Sequence, residues 1–157
     1  MISIEIPYFN NIIIDDMINY RKAQIKKFYG YYQHVAMIFE KNNIFNPLSY
    51  GTNYYTCSNE NTIHAEHDAL LRLKENKKNK KKINIIVIRY TSTYKLSNSK
   101  PCAFCLENMY NIAGIKGYNI DKVYYSNNNN NIEVVKFKDL YNETDKHIPK
   151  KHRTKCS

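Results

Sequence analysis

The stretch Ile83-Asn-Ile-Ile-Val-Ile-Arg-Tyr90 is the most strongly patterned segment of the chain. It leaves almost no polar face, which is typical of a strand covered on both sides in the middle of a sheet. The unbroken apolar run from Val35 to Phe39 predicts a second strand of the same kind. The sequence therefore predicts a sheet whose central strands are covered on both faces.

Patterns of other kinds surround these strands. Apolar residues recur at helical spacing in two segments, and Thr62 is a suitable N-cap of the second of these helices. Pro101 is a suitable first residue of a third helix. Gly30 is expected to end the first helix. The predicted order is a helix over residues 11–28, strands over 31–40 and 48–56, a helix over 62–75, a strand over 83–90, a helix over 101–113, and strands over 120–125 and 132–137. This order predicts a layered α/β/α unit with a mixed sheet.

The length of 157 residues fits one ordinary domain. We expect a single domain over residues 1 to 140 and a basic, flexible tail over residues 141 to 157. Neither a long apolar run nor a secretory signal pattern is present at the N-terminus, so the protein is expected to be soluble and intracellular, without a membrane partner. The sequence does not distinguish cytoplasm from nucleus.

The formal net charge of +10 suits a phosphorylated or polyanionic partner, because excess lysine attracts phosphate. Much of this charge lies in two runs, Lys74 to Lys82 and Lys146 to Lys155. Such runs are also ordinary solvated surface in many proteins. Binding of nucleic acid through the lysine-rich segments is therefore one of two open readings.

Two short motifs carry the chemistry: His64-Ala-Glu66 at the start of the second helix, and Pro101-Cys-Ala-Phe-Cys105 at the start of the third. One imidazole and two thiolates supply three corners of a tetrahedral zinc site and leave the fourth for water, as a catalytic site requires. We therefore predict that His64, Cys102 and Cys105 bind Zn²⁺. His67, one turn further along the helix, is expected to point away from the ion. Cys57 is expected to be a small buried residue.

Glu66 lies two residues beyond His64, too close in the chain to be a comfortable second ligand of the same ion. It can still reach a water molecule bound there. We predict that Glu66 takes a proton from this water, delivers it to a ring nitrogen and later protonates departing ammonia.

This pair of motifs resembles the cytidine and deoxycytidylate deaminase-like superfamily, over about residues 30 to 137. The resemblance implies a three-layer α/β/α sandwich with a mixed five-stranded sheet, Glu66 as the proton shuttle, and the Ala65 backbone N–H as a donor to the bound base. Asn53, in Gly51-Thr-Asn53, looks like the base- or sugar-binding asparagine of several of these families. Because members are often dimers or tetramers, the resemblance also implies a homo-oligomer.

The leading hypothesis is a zinc-dependent hydrolytic deaminase of a cytosine-type nucleoside or nucleotide, which converts the C4 amine to a carbonyl and releases ammonia. Two alternatives stay open. One is a base deaminase of polynucleotides (RNA, tRNA or single-stranded DNA), and the other is a non-catalytic, zinc-binding protein of the same fold that binds nucleic acid. The zinc motif does not choose among them, because substrate choice depends on the shape of the pocket.

Overall fold

The structure, a computed structural model, describes residues 11–24, 33–55 and 62–149. The elements in chain order are α1 (Asn11–Gln24), β1 (Gln33–Glu40), β2 (Ser49–Thr52), β3 (Tyr54–Tyr55), β4 (Thr62–Ile63), α2 (Ala65–Arg72), β5 (Lys81–Tyr90), β6 (Leu96–Ser97), α3 (Ala103–Ile115), β7 (Tyr118–Ser126), β8 (Ile132–Lys136) and α4 (Phe137–Tyr141). Gly30 and Cys57, for which the sequence predicts a helix end and a buried side chain, lie outside the described residues.

The main sheet is mixed. Five strands lie side by side in the order β2-β1-β5-β7-β8, and the two-residue β6 pairs with the end of β5. Strands β1 and β5 are antiparallel, whereas β5 and β7 are parallel. Strand β5 lies between β1 and β7, so the prediction that the segment from Ile83 to Tyr90 is a central strand is confirmed.

Side chains of the central strands alternate between two cores. Val35, Met37 and Phe39 of β1 pack with α1 on one face, and Ala36 and Ile38 pack with α2 and α3 on the other. Strand β5 alternates in the same way, which explains its almost continuous apolar sequence. The predicted three-layer α/β/α sandwich with a mixed sheet is therefore confirmed, and the sheet has six strands where five were predicted.

The predicted starts of the second and third helices are wrong by a few residues. Helix α2 begins at Ala65, with His64 and not Thr62 as its N-cap, because Thr62 and Ile63 pair with Tyr54 and Tyr55 in a separate two-stranded sheet. Helix α3 begins at Ala103, with Cys102 as its N-cap. Pro101 thus precedes the helix. Both shifts place a predicted zinc ligand at an N-cap.

The contact between β2 and α2 depends on Gly51. A Cβ atom at this position would overlap the Ala65 carbonyl oxygen and the Ala69 nitrogen of α2, whereas a Cβ atom at Gly114 in α3 would meet nothing within 4 Å. We expect Gly51→Ala to lower the free energy of unfolding by about 3 kcal/mol, since backbone cannot move aside as a side chain can. The control Gly114→Ala should raise it by up to about 1 kcal/mol. Urea unfolding of both variants tests this, and equal effects would contradict it.

The residues that follow α4 pack against the rest of the domain. After α4, the Ala103 N–H donates a hydrogen bond of 2.9 Å to the His147 carbonyl oxygen, and Lys100 forms an ion pair of 2.8 Å with Glu143. The division of the chain at residue 140 stays a prediction, but residues 142–149 contact the segment that carries the two cysteines. In the described ranges, no helix is long and apolar enough to cross a bilayer.

Candidate metal centre and active site

The site forms where the N-termini of α2 and α3 meet. His64 is the N-cap of α2 and Cys102 is the N-cap of α3, and neither side chain caps its own helix with a hydrogen bond. N-cap positions usually hold serine, threonine, aspartate or asparagine, whose oxygen accepts from the helix N–H groups. Here the two N-cap side chains are directed to each other, and Cys105 joins them from the first turn of α3.

The ligand atoms of His64, Cys102 and Cys105 all lie within 4.8 Å of one another. The His64 Nδ1 atom is 3.1 Å from the Cys105 sulfur and 3.7 Å from the Cys102 sulfur. Tetrahedral zinc, with bonds of about 2.3 Å to sulfur and about 2.0 Å to nitrogen, holds neighbouring ligands roughly 3.5 to 3.8 Å apart. The donor set and its spacing therefore fit zinc with an open fourth position.

The pKa values of the three groups depend on one another through their mutual contacts. The pKa of Cys102 is lowered to about 4, first by its hydrogen bond with Cys105 and then by that with His64. The same contact with Cys102, followed by burial, raises the pKa of Cys105 well above its usual value. The contact with Cys102 also raises the pKa of His64. Of the three groups, Cys102 alone is shifted toward the form that binds a metal, and metal binding must displace protons from the site.

Glu66 lies in the first turn of α2 and is 4 % exposed. Burial raises the pKa of its carboxyl group, against the lowering effect of nearby His64. The carboxylate lies within hydrogen-bonding reach of the Cys105 thiol. A buried carboxyl group beside the ligand cluster, with a raised pKa, is suited to accept and return protons at neutral pH.

A serine pair holds the loop that precedes Cys102. The Ser99 hydroxyl donates to the Val87 carbonyl oxygen at 2.7 Å and accepts from the Ser126 N–H at 2.8 Å. The Ser126 hydroxyl in turn donates to the Ser97 carbonyl oxygen at 2.6 Å. These bonds fasten the loop to the carboxyl ends of β5 and β7. Sequence reasoning missed both serines, because single polar residues in a loop and at a strand end have no periodic pattern.

The two residues predicted to bind substrate lie at the same edge of the sheet. Ala65 is fully buried. Because it is the first residue of α2, its N–H has no partner within the helix. Asn53 follows β2 and is 8 % exposed. Its Oδ1 atom accepts a hydrogen bond of 3.0 Å from the His34 N–H. The binding roles of Ala65, Asn53 and Glu66 stay predictions.

Residues 21–125 match the family model described as the cytidine and deoxycytidylate deaminase zinc-binding region. The chain belongs to the cytidine and deoxycytidylate deaminase family. This match, together with the converged ligand cluster, confirms the predicted family, the enzyme class of zinc-dependent hydrolytic deaminases, and the zinc cofactor.

Two solved structures are similar to this deaminase-family chain. A cytidine deaminase from Burkholderia pseudomallei is 18 % identical, with a TM-score of 0.50 over 80 % of this chain and 94 % of that chain. A dCMP deaminase from the cyanophage S-TIM5 is 15 % identical, with a TM-score of 0.38 over 74 % of this chain and 83 % of that one. A search of curated proteins found no match. The first likeness supports the fold of the deaminase domain.

A small cavity opens beside the predicted zinc ligands. It measures about 120 Å³ and lies between the first turns of α2 and α3, where His67 and Asn108 line it together with His64 and Cys105. His67 is outside the ligand cluster, although it lines the same cavity; that its ring points away from a bound ion stays a prediction. Pro149 also lines the cavity, so the predicted tail contributes a wall to it. Sequence reasoning missed this contribution, because a basic terminal segment has no pattern that indicates packing.

His34 is a second group that sequence reasoning missed. It lies on the same face of β1 as Ala36, and its Nε2 atom is buried without a hydrogen-bond partner in the described part of the chain. Burial, followed by the charges of Arg89, His64 and Arg21, lowers its pKa to about 3. The site therefore contains an imidazole that stays neutral at every physiological pH.

The lowered pKa of His34 predicts acid sensitivity. The unfolded chain takes up a proton at His34 near pH 6.5 and the folded chain only near pH 3, so stability falls as the pH drops through this window. Between these two pH values, His34 lowers the free energy of unfolding by up to about 1.4 kcal/mol for each pH unit. Urea unfolding between pH 7 and pH 4 should therefore show a shallower loss for His34→Gln than for the wild type. Parallel curves would contradict the prediction.

Proposed function

We propose that the protein is a hydrolytic deaminase of a cytosine-type nucleoside or nucleotide, which replaces the C4 amine by a carbonyl and releases ammonia. The observation that carries this proposal is the buried carboxyl group of Glu66 beside three converged zinc ligands. A structural zinc site needs four protein ligands and no buried acid. This site offers three protein ligands and one acid.

Each residue of the site has a separate role in the proposed reaction. His64, Cys102 and Cys105 would hold zinc, and the ion would supply the Lewis acidity that makes water nucleophilic at neutral pH. Glu66 would accept a proton from the attacking water at its carboxylate and pass it to the ring nitrogen next to the amine. It would then take the proton of the new C4 hydroxyl and give it to the amine, which leaves as ammonia while the C4 carbonyl forms. The Ala65 N–H donates to the ring carbonyl, and Asn53 contacts the base or the sugar. Burial keeps bulk water away from Glu66.

A polynucleotide substrate is the second candidate, and the location of the lysines bears on it. Lys81 and Lys82, in the run from Lys74 to Lys82, are exposed at the amino end of β5, whereas the cysteine loop follows its carboxyl end. A strand of this length spans about 30 Å. Phosphates next to a base in the site therefore lie far from this run. This geometry opposes a polymer held by this run, but not one held by the run that begins at Lys146, because Pro149 of that segment lines the cavity.

The non-catalytic alternative predicts that Glu66 has no role in catalysis. A buried carboxyl group costs free energy unless it is neutral or well paired, and the raised pKa of Glu66 reflects that cost. A protein that only binds zinc has no need of such a group beside the open ligand position.

A homo-oligomer, predicted from the resemblance, stays a prediction that sedimentation can test.

The experiment is a measurement of ammonia release by the zinc-loaded protein from cytidine, CMP, dCMP, adenosine, guanine and single-stranded oligonucleotides. We expect turnover of a free cytosine nucleoside or nucleotide, with little dependence on salt. Turnover of oligonucleotides alone, collapsing as salt rises, would support the polynucleotide reading. Zinc at one per chain with no release from any substrate would support the binding protein.

A further inference from the structure

The cavity beside the predicted zinc ligands is smaller than the usual pocket for a small molecule. Its volume is about 120 Å³, whereas pockets that enclose a ligand of drug size measure roughly 300 to 1,000 Å³. A nucleoside or a nucleotide therefore needs more room than these walls leave. At least one wall of the cavity must move before such a ligand can enter.

The walls of the cavity differ in how firmly they are held. Most of the lining belongs to α2 and α3 or to the N-cap of α2, and both helices pack on the sheet through fully buried side chains such as Leu70 and Leu106. Pro149 belongs to the segment 142–149, and none of these eight residues, all of them described, is buried. Segments that bury little surface open locally at a low cost in free energy. The segment 142–149 is therefore the wall that moves most easily.

A hydrogen bond and an ion pair join this segment to the region that carries the two cysteines. The Ala103 N–H donates to the His147 carbonyl oxygen at 2.9 Å. Because Ala103 is the first residue of α3, this N–H has no partner within the helix. Nζ of Lys100 lies 2.8 Å from Oε2 of Glu143, and the two side chains are 34 % and 36 % exposed. Salt weakens an ion pair that is exposed to this degree.

We propose that residues 142–149 form a gate that excludes the substrate when it is closed, and that Lys100 and Glu143 are the positioning residues that keep it closed. Opening of the gate moves Pro149 away from the cavity and separates the Ala103 N–H from its acceptor. If the substrate binds only the open form, its apparent affinity is the intrinsic affinity multiplied by the open fraction. The movement is independent of the reaction, whereas its effect on a substrate rests on the proposed function.

Hydrogen exchange at the Ala103 amide reports the gate directly, without turnover of a substrate. We expect Glu143→Gln to speed this exchange about two- to fivefold, the effect of losing a partly exposed ion pair. The amide of Met109, inside α3, should keep its wild-type rate, because the gate opens without unfolding of the helix. Exchange measured by NMR on the zinc-loaded protein separates the two amides.

Three comparisons assign the effect to the ion pair. Lys100→Met should match Glu143→Gln, and the double variant should show no larger effect than either single one, since all three lose the same contact. At about 1 M salt, the wild type should approach the variants, because salt screens the pair. The matched control is Lys81→Met, which removes an ion pair of 3.1 Å with Glu40 at the opposite end of β5 and should leave exchange at Ala103 unchanged.

Two further measurements connect the gate with access to the site. Glu143→Gln should speed the removal of zinc by 1,10-phenanthroline, and should lower KM for the substrate that is turned over, each by about two- to fivefold. Faster exchange and faster zinc removal without turnover of any substrate would support the gate and refute the proposed function. Unchanged exchange at Ala103, or faster exchange with unchanged zinc removal, would overturn the gate. A raised KM would also overturn it, because the segment would then hold the substrate and not exclude it.

Discussion

Glu66→Gln is expected to lower the rate of ammonia release by a factor of about 10² to 10⁴, the usual contribution of a positioned general acid and base. Glutamine has nearly the same shape as glutamate but cannot accept and return a proton. Because Glu66 is buried and is not one of the three ligands, the zinc content should stay at that of the wild type. Steady-state ammonia release and metal analysis on the same preparations measure both quantities.

The control for this prediction is Asp68→Asn, the same chemical change two residues further along α2. Asp68 is also buried, but its oxygens accept from the Thr52 N–H and from Arg72. Its replacement should cost stability and leave turnover within a fewfold of the wild type. A Glu66→Gln variant that keeps more than a tenth of the activity, or an equal loss in Asp68→Asn, would show that Glu66 does not carry the proton steps.

The strands and the zinc motif could be predicted from the sequence because each has a strong local signal. The segment from Ile83 to Tyr90 is apolar along its whole length, and the structure covers it on both faces. The spacing of Cys102 and Cys105 places two sulfurs on one helical turn. Such signals arise from neighbours in the chain, so they survive without knowledge of the tertiary structure.

The helix starts could not be predicted correctly, because the usual capping rule does not apply to these two helices. Thr62 is a better N-cap than His64 by propensity, yet α2 begins after His64. The side chains at the two N-caps belong to the candidate zinc cluster instead, and neither makes the capping hydrogen bond that the rule assumes. A local rule is expected to fail at a functional site for this reason.

The polar cluster around Asn53 was beyond sequence reasoning for another reason. Arg21, His34 and Asn53 come from three different elements, separated by 32 and 19 residues of chain along their hydrogen bonds. Each residue alone has an ordinary interpretation: a surface arginine on a helix, a histidine at a strand start, an asparagine at a turn. Only the packing of α1 against the sheet brings them together, and no periodic pattern encodes that contact.

Loss of a zinc ligand is the prediction with the largest expected effect on stability. Cys102→Ala removes the sulfur at the start of α3 and leaves two ligands, which is too few to hold the ion tightly. We expect the zinc content to fall from about one per chain to near zero and activity to disappear with it. Metal analysis after dialysis measures the first effect, and ammonia release measures the second.

Stability follows because zinc binds the folded chain and not a preformed site in the unfolded one. When free zinc exceeds its dissociation constant a thousandfold, binding adds about 4 kcal/mol to the free energy of unfolding, or about 10 °C in Tm for a domain of this size. A chelator should remove this increment from the wild type and leave Cys102→Ala unchanged. Cys156→Ala, which removes a cysteine outside the motif, should behave as the wild type. Zinc-dependent stabilisation that persists in Cys102→Ala would mean that other residues hold the ion. In that case the assignment of an open fourth ligand position beside Glu66 would also be wrong.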